Sequence, residues 1–147
     1  CCELGGFIGG MSPADTAQMA EYGRDIGMAF QITDDLLDFR RSSEDIGKPA
    51  GHDLAQGYVT LPVIRALSVL GAGEREELAA LITNPKKPLE EVARALALVR
   101  ASDGLDYAQE QADAYLARDK AALPASLDPR IRETCLMAAD FIGRREF

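Results

Sequence analysis

The sequence predicts an all-α fold in which helices are joined by short connections. Three observations carry this prediction. Apolar residues recur at helical spacing along the chain, no segment alternates apolar and polar residues as a strand would, and turn-forming Gly and Pro residues separate the periodic segments. The 147 residues, of which 47% are hydrophobic, suit one domain with a sizeable core. We therefore expect residues 1–147 to form a single all-α domain.

The first long helix is predicted from Ser12 to about Phe39. Ser12 can cap the helix, and Pro13 fits its first turn. Gly23 and Gly27 lie inside the helix, where each costs about 1 kcal/mol relative to Ala. That cost is tolerable where another helix approaches closely, so close packing would explain these two glycines.

A long loop is predicted after this helix, because Gly and Pro residues interrupt any helical pattern over residues 40–57. It would span about eighteen residues, and ordered loops of that length are usually functional. Five shorter helices are predicted to follow, with Thr60 as a possible cap of the first and Asp128-Pro129 as the start of the last. They cover approximately residues 60–71, 74–82, 89–101, 105–123 and 129–144.

Charge and composition disfavour several classes of function. The formal net charge is −8, with 24 acidic and 16 basic residues. Nucleic acid is not expected as a partner, because phosphate binding needs an excess of Lys and Arg. A phosphorylated substrate is compatible with this charge if cations mediate the contact. Three cysteines give no disulfide framework, which predicts a reducing, cytoplasmic setting. No apolar run approaches the roughly 18–20 residues of a membrane span.

The N-terminal residues begin as if already inside an apolar segment. The chain starts Cys1-Cys2-Glu3-Leu4, with no initiator Met and no helix cap. We expect that upstream sequence is missing or lies on another chain; a processed or engineered start is the alternative.

The C-terminal part of the first long helix carries a stripe of polar side chains, formed by Gln31, Asp34, Asp35 and Asp38. With about 100° of rotation per residue, all four fall within an arc of roughly 100°. The rest of the helix surface is largely apolar, so the helix is predicted to be buried. Three carboxylates on one stripe of a buried helix repel one another and must be neutralised.

A hard divalent cation would neutralise this stripe. Mg²⁺ prefers carboxylate oxygen and water, and it completes its coordination shell with substrate phosphates. No cluster of Cys and His argues for zinc. The alternative is a solvated acidic face paired with Lys or Arg side chains from elsewhere in the fold.

The predicted loop supplies chemistry that a metal-bound diphosphate would need. Lys48 can place a compact positive charge on the diphosphate, and Gly47 and Gly51 allow tight turns beside it. An ordinary solvated lysine is the alternative for Lys48. Asp53 could cap the following turn or assist metal-bound water. For His52, the only histidine, a hydrogen-bonded loop residue is favoured over a catalytic base.

Three sequence blocks resemble the trans-type prenyl diphosphate synthases. Residues 27–39, GMAFQITDDLLDF, resemble the second aspartate-rich motif of that family. Residues 47–54, GKPAGHDL, resemble the Gly-Lys-x-x-Gly-x-Asp stretch that follows it, and residues 57–62, GYVTLP, resemble the next block. The three blocks occur in the family's order at short spacing, so the resemblance is specific over residues 23–62. The later helices fit the family's C-terminal region without specific motifs.

The resemblance implies an isoprenoid-synthase-type helical bundle, of which this chain would be the C-terminal half. It also implies Mg²⁺-dependent condensation of an allylic prenyl diphosphate with isopentenyl diphosphate. The residues implied to bind Mg²⁺, directly or through water, are Asp34, Asp35 and Asp38. Those implied to bind the substrate diphosphates are Gln31, Lys48 and Asp53, the first two as catalytic residues.

The resemblance is incomplete. The family's first aspartate-rich motif is absent from this chain, and so are the upstream Arg and Lys residues and the Lys-Thr pair that the family carries. Tyr58-Val59 stands where many members have Lys before the Thr. The isolated chain is therefore expected not to catalyse condensation. It would act as a homodimer, or together with a chain that carries the first motif.

Three other interpretations stay open. A squalene- or phytoene-type synthase shares the fold, but its second motif usually has Asn or Arg between the acidic positions, unlike residues 34–38. A non-catalytic helical subunit would pair with a catalytic chain or regulate it. A plain acidic helix bundle would show no metal-dependent binding of pyrophosphate.

Overall fold

Helices make up the regular structure of the chain. The computed structural model describes residues 1–40, 51–84 and 87–144, and these ranges contain no strand, which confirms the all-α prediction. None of the helices in them is long and apolar enough to cross a membrane. The helices are α1 (Cys2–Ile8), α2 (Pro13–Arg40), α3 (His52–Gln56), α4 (Leu61–Val69), α5 (Ala72–Thr83), α6 (Leu89–Ala101), α7 (Gly104–Ala122) and α8 (Pro129–Gly143).

Local capping signals begin two of the helices as predicted. The Ser12 hydroxyl accepts a hydrogen bond from the backbone N–H of Asp15 at 3.1 Å, before α2. The Asp128 carboxylate accepts one from the N–H of Arg130 at 2.9 Å, before α8. Thr60 precedes α4, but its hydroxyl is buried without a hydrogen-bond partner and does not cap the helix. The predicted start of α4 is therefore right, and the predicted role of the Thr60 side chain is wrong.

The chain divides into two compact units. The first comprises residues 1–33 together with the described residues from 111 onward, and the second comprises residues 34–110. The boundary falls inside α2 and inside α7. A single domain over the whole chain stays a prediction.

The second unit has a core built from α3, α4, α5, α6 and the end of α2. The large buried side chains of this core include Phe39, Leu54, Val63, Leu78 and Val99. The guanidinium of Arg100, on α6, donates two hydrogen bonds to the carbonyl oxygen of Phe39. A cation beside the last described turn of α2 complements the negative end of the helix dipole.

The stretch predicted as a continuous loop over residues 40–57 contains a helix. In its described part, α3 forms between two glycines with left-handed backbone conformations, Gly51 (φ 79°) and Gly57 (φ 85°). The two glycines delimit the five-residue helix, and Leu54 on its inner face is 1% exposed. The prediction was wrong here because the glycines lie at the ends of a helix and not throughout a loop.

The first unit is held by a smaller core around α2. The buried residues Met19 and Tyr22 pack with Leu123, and the Tyr22 hydroxyl donates to the carbonyl oxygen of Cys135 at 3.0 Å. A Cβ atom placed on Gly23 would lie 2.9 Å from both Cβ and Sγ of Cys2, so α1 does approach α2 closely at this position. At Gly27 a Cβ would meet nothing within 4 Å. The close packing therefore explains one of the two glycines.

Two buried carboxylates distinguish the first unit. Asp25 is 2% exposed and paired with Arg118, whereas Asp119 is fully buried and neither of its oxygens has a hydrogen-bond partner. Burial, together with the negative charge of Asp25, raises the pKa of Asp119 to about 7, while the positive charge of Lys120 opposes the shift. Burial therefore favours the protonated form of Asp119.

Candidate functional site

The three aspartates of the predicted stripe lie on the last turns of α2 but differ in exposure. Asp34 is exposed, Asp35 is half-buried and Asp38 is buried. Gln31 is exposed on the same helix, in the part that belongs to the first unit. The aspartates thus become more buried from Asp34 to Asp38. The sequence had predicted that the whole helix would be buried.

The buried member, Asp38, is held by backbone amides. Its Oδ1 accepts from the N–H of His52 at 3.1 Å, and its Oδ2 accepts from the N–H of Asp53 at 3.0 Å. Its carbonyl oxygen accepts from the N–H of Gly51 at 3.2 Å. Three consecutive N–H groups thus point at one residue of α2, and they join the acidic helix to α3.

Asp53 is brought beside the acidic stripe by this arrangement. Its carboxyl group is half-buried. Burial raises its pKa above the ordinary value, the negative charges of Asp38 and Asp34 raise it further, and His52 opposes the shift. Electrostatic coupling of this kind requires proximity. The backbone of Asp53 is therefore fixed at the acidic end of α2, in the second unit.

These carboxylates fit a metal that is only partly held by protein. Among residues 1–40, 51–84 and 87–144, no three side chains of His, Cys, Asp or Glu are grouped closely enough to hold an ion by themselves. Mg²⁺ does not need such a group, because it commonly binds through one or two carboxylates and completes its shell with water and substrate phosphates. An exposed Asp34, with further acidic oxygens nearby, provides this donor set.

Two predicted features lie outside the described residues. Lys48 and Gly47 belong to residues 41–50, so the predicted contact between Lys48 and a diphosphate stays a prediction.

His52, whose side chain is exposed, is the first residue of α3 and not part of a loop.

The sequence did not predict that Asp38 caps α3, although the glycine before this helix indicates that a cap must come from elsewhere. A short helix whose cap position is occupied by glycine has no side chain to accept its first N–H groups. An acceptor must then come from elsewhere in the fold, and the acidic helix that precedes the loop is the nearest source in sequence.

The family of the chain follows from its sequence match. Residues 1–99 match the family model described as Polyprenyl synthetase. The chain belongs to the polyprenyl synthetase family. The predicted resemblance is thereby confirmed.

Curated members of this family extend well beyond the present chain. The short chain isoprenyl diphosphate synthase of Methanothermobacter thermautotrophicus is 37% identical over 144 residues, covering 98% of this chain and 44% of that protein. Heptaprenyl diphosphate synthase component 2 of Geobacillus stearothermophilus is 34% identical over 146 residues, covering 99% of this chain and 44% of that protein. The chain spans less than half the length of these relatives.

Solved structures of the family share the fold. The polyprenyl synthase of Roseobacter denitrificans matches with a TM-score of 0.86 at 33% identity, over 98% of this chain and 46% of that chain. The polyprenyl synthase of Caulobacter crescentus, solved with calcium and isoprenyl diphosphate, matches with a TM-score of 0.81 at 34% identity, over 98% of this chain and 44% of that chain. The predicted isoprenoid-synthase-type helical fold is confirmed.

Proposed function

We propose that this chain supplies one half of the active site of a Mg²⁺-dependent prenyl diphosphate synthase. The reaction would condense an allylic prenyl diphosphate with isopentenyl diphosphate. The observation that carries the proposal is the pair of hydrogen bonds by which Asp38, at the acidic end of α2, holds the backbone of His52 and Asp53. Family membership and the order of the three motif blocks support it.

Each residue has a distinct role in the proposal. The exposed Asp34 and the half-buried Asp35 present carboxylate oxygens to Mg²⁺, and Asp38 is a further predicted ligand. Gln31 and Lys48 bind the substrate diphosphates, with Lys48 placing positive charge on the leaving group. When bound, Mg²⁺ stabilises the negative charge that grows on the departing diphosphate.

The chemistry breaks the bond between the allylic carbon and the diphosphate oxygen. The double bond of isopentenyl diphosphate attacks the allylic cation that remains, and loss of a proton completes a chain longer by one isoprene unit. The apolar faces of the helices would shield the cation from water.

In the proposal, the family's first aspartate-rich motif is supplied from outside these 147 residues. Two relatives are named component 2 of heptaprenyl diphosphate synthase, and another is named subunit 1 of decaprenyl-diphosphate synthase. Such names denote enzymes of more than one component, which favours pairing with a second polypeptide and keeps a non-catalytic subunit as the second candidate. The homodimer and the cytoplasmic setting stay predictions.

Condensation by the intact protein, together with any chain that carries the first motif, tests the proposal. With Mg²⁺, radiolabelled isopentenyl diphosphate should enter a product one isoprene unit longer than the allylic substrate, and EDTA should abolish the reaction. Asp34→Ala should lower the rate by about 100-fold, because a group that stabilises developing charge is lost. Glu21→Gln removes an exposed charge from the same helix and should leave the rate unchanged. Absence of product would favour the non-catalytic subunit.

A further inference from the structure

Asp38 is bonded to the backbone at the start of α3 through all three of its oxygens. Both side-chain oxygens and the main-chain oxygen accept consecutive N–H groups at the start of α3, at 3.0–3.2 Å. Asp38 is 8% exposed, whereas Asp34 faces solvent. The oxygens of Asp38 thus accept hydrogen bonds from backbone N–H groups of the protein.

The helix α3 cannot provide these acceptors itself. Its cap residue is Gly51, which has no side chain and adopts a left-handed conformation at φ 79°. A Cβ on this residue would lie 2.8 Å from Cδ1 of Leu96, so a serine or aspartate at the cap position would be strained and would also collide with the core. The cap of α3 has to be supplied from a distance, and Asp38 supplies it.

We propose that Asp38 is a positioning residue, which fixes the start of α3 and thereby holds Asp53 at the acidic end of α2. The proposal rests on the proposed function for the identity of the ligand, a metal-bound diphosphate. The three aspartates would then have different roles, because Asp34 and Asp35 would hold the metal while Asp38 fixes α3, which carries Asp53, at the end of α2. Asp38 would contribute to metal binding mainly through Asp53, a role that differs from the direct ligation predicted by sequence.

Amide hydrogen exchange without metal tests the positioning role directly. In Asp38→Asn one carboxylate acceptor becomes an NH₂ donor, so one of the two side-chain bonds to α3 is lost. We expect the amides of His52 and Asp53 to exchange about tenfold faster, the scale of a lost helix cap. Asp34→Asn makes the same chemical change one turn earlier and should leave these amides unchanged. Unchanged exchange in Asp38→Asn, or equally fast exchange in both variants, would overturn the proposal.

Binding of inorganic pyrophosphate in the presence of MgCl₂ is a second test. If Asp38 only stabilised α3, its substitution would leave this binding unchanged. In folded Asp38→Asn, verified by circular dichroism, we expect Mg²⁺-dependent binding to weaken by about 10–100-fold, as for loss of a residue that orients metal ligands. Unchanged binding would overturn the positioning role. If the wild-type protein binds no pyrophosphate, the proposed function fails, and the exchange experiment still decides whether Asp38 holds α3.

The wild-type protein gives a check that needs no variant. The amides of His52 and Asp53 should already be protected before MgCl₂ and pyrophosphate are added, because Asp38 holds α3 without them. Protection that appears only with the metal and pyrophosphate would show that these ligands, and not Asp38, hold the start of α3, and would overturn the proposal.

Discussion

The guanidinium of Arg118 donates two hydrogen bonds to the buried carboxylate of Asp25, from Nε to Oδ2 at 2.6 Å and from Nη2 to Oδ1 at 3.1 Å. The Asp25 side chain is 3% exposed, while that of Arg118 is 61% exposed. The same guanidinium lies 4.5 Å from the ring centroid of Tyr115, which restricts its orientation. Arg24 contributes a weaker contact at 3.7 Å. The pair joins α2 to α7 within the first unit.

Arg118→Ala is expected to lower the free energy of unfolding by about 2–3 kcal/mol, because it leaves a buried carboxylate without its main partner. The hydrogen bonds from Arg118 hold the pKa of Asp25 below its ordinary value. The stability gained from the pair is thus present above the unfolded pKa of about 3.9 and is lost as the pH falls through the folded pKa. Urea unfolding at pH 7 measures the effect. Arg130→Ala, at an exposed position on α8, is the control and should change stability by less than about 0.5 kcal/mol.

Asp119→Asn is expected to stabilise the protein at alkaline pH. The pKa of Asp119 is raised to about 7 in the folded state, against about 3.9 when unfolded. Wild-type stability should therefore decline as the pH rises from about 4 to 7, because the folded state must release a proton that the unfolded state has already lost. The Asn variant should lack this decline and exceed the wild type at pH 8 by on the order of 2 kcal/mol. Equal urea midpoints of the two proteins at pH 8 would contradict this account, and Asp106→Asn on the surface of α7 serves as the control.

The two glycines of α2 should respond oppositely to the same substitution. Gly27→Ala meets nothing within 4 Å and should stabilise the helix by about 0.5–1 kcal/mol. Gly23→Ala gains the same helix propensity but places a methyl group 2.9 Å from Cys2, which has to move. Overpacking of this kind typically costs about 1–3 kcal/mol, so we expect net destabilisation. Thermal unfolding of the two variants checks the signs, and equal stabilisation by both would show that α1 does not pack tightly on α2.

Features that depend on residues close together in the chain were predictable from the sequence. The start of α2 at Ser12 and that of α8 at Asp128 depend on side chains that cap their own helix. The spacing of Asp34, Asp35 and Asp38 places them on one side of α2 by helical geometry alone. These features need no knowledge of the tertiary fold.

Features that depend on contacts between distant residues were not predictable in the same way. The helix α3 is capped by Asp38, which lies 14 residues before His52 in the chain. The burial of Asp119 depends on how α7 packs, and its neighbours in sequence, Arg118 and Lys120, give no sign of it. Thr60 has the residue type of a cap and the position of one, yet its hydroxyl has no partner. In each case tertiary packing decides what local propensity leaves open.

The acidic end of α2 is proposed to form half of a metal-dependent diphosphate site. Isothermal titration of the intact protein with inorganic pyrophosphate, with and without MgCl₂, tests it most directly. We expect binding that requires Mg²⁺, is weakened at least about 100-fold in Asp34→Ala, and is unchanged in Glu21→Gln. Absence of Mg²⁺-dependent binding in the wild type, or equal binding by Asp34→Ala, would contradict it.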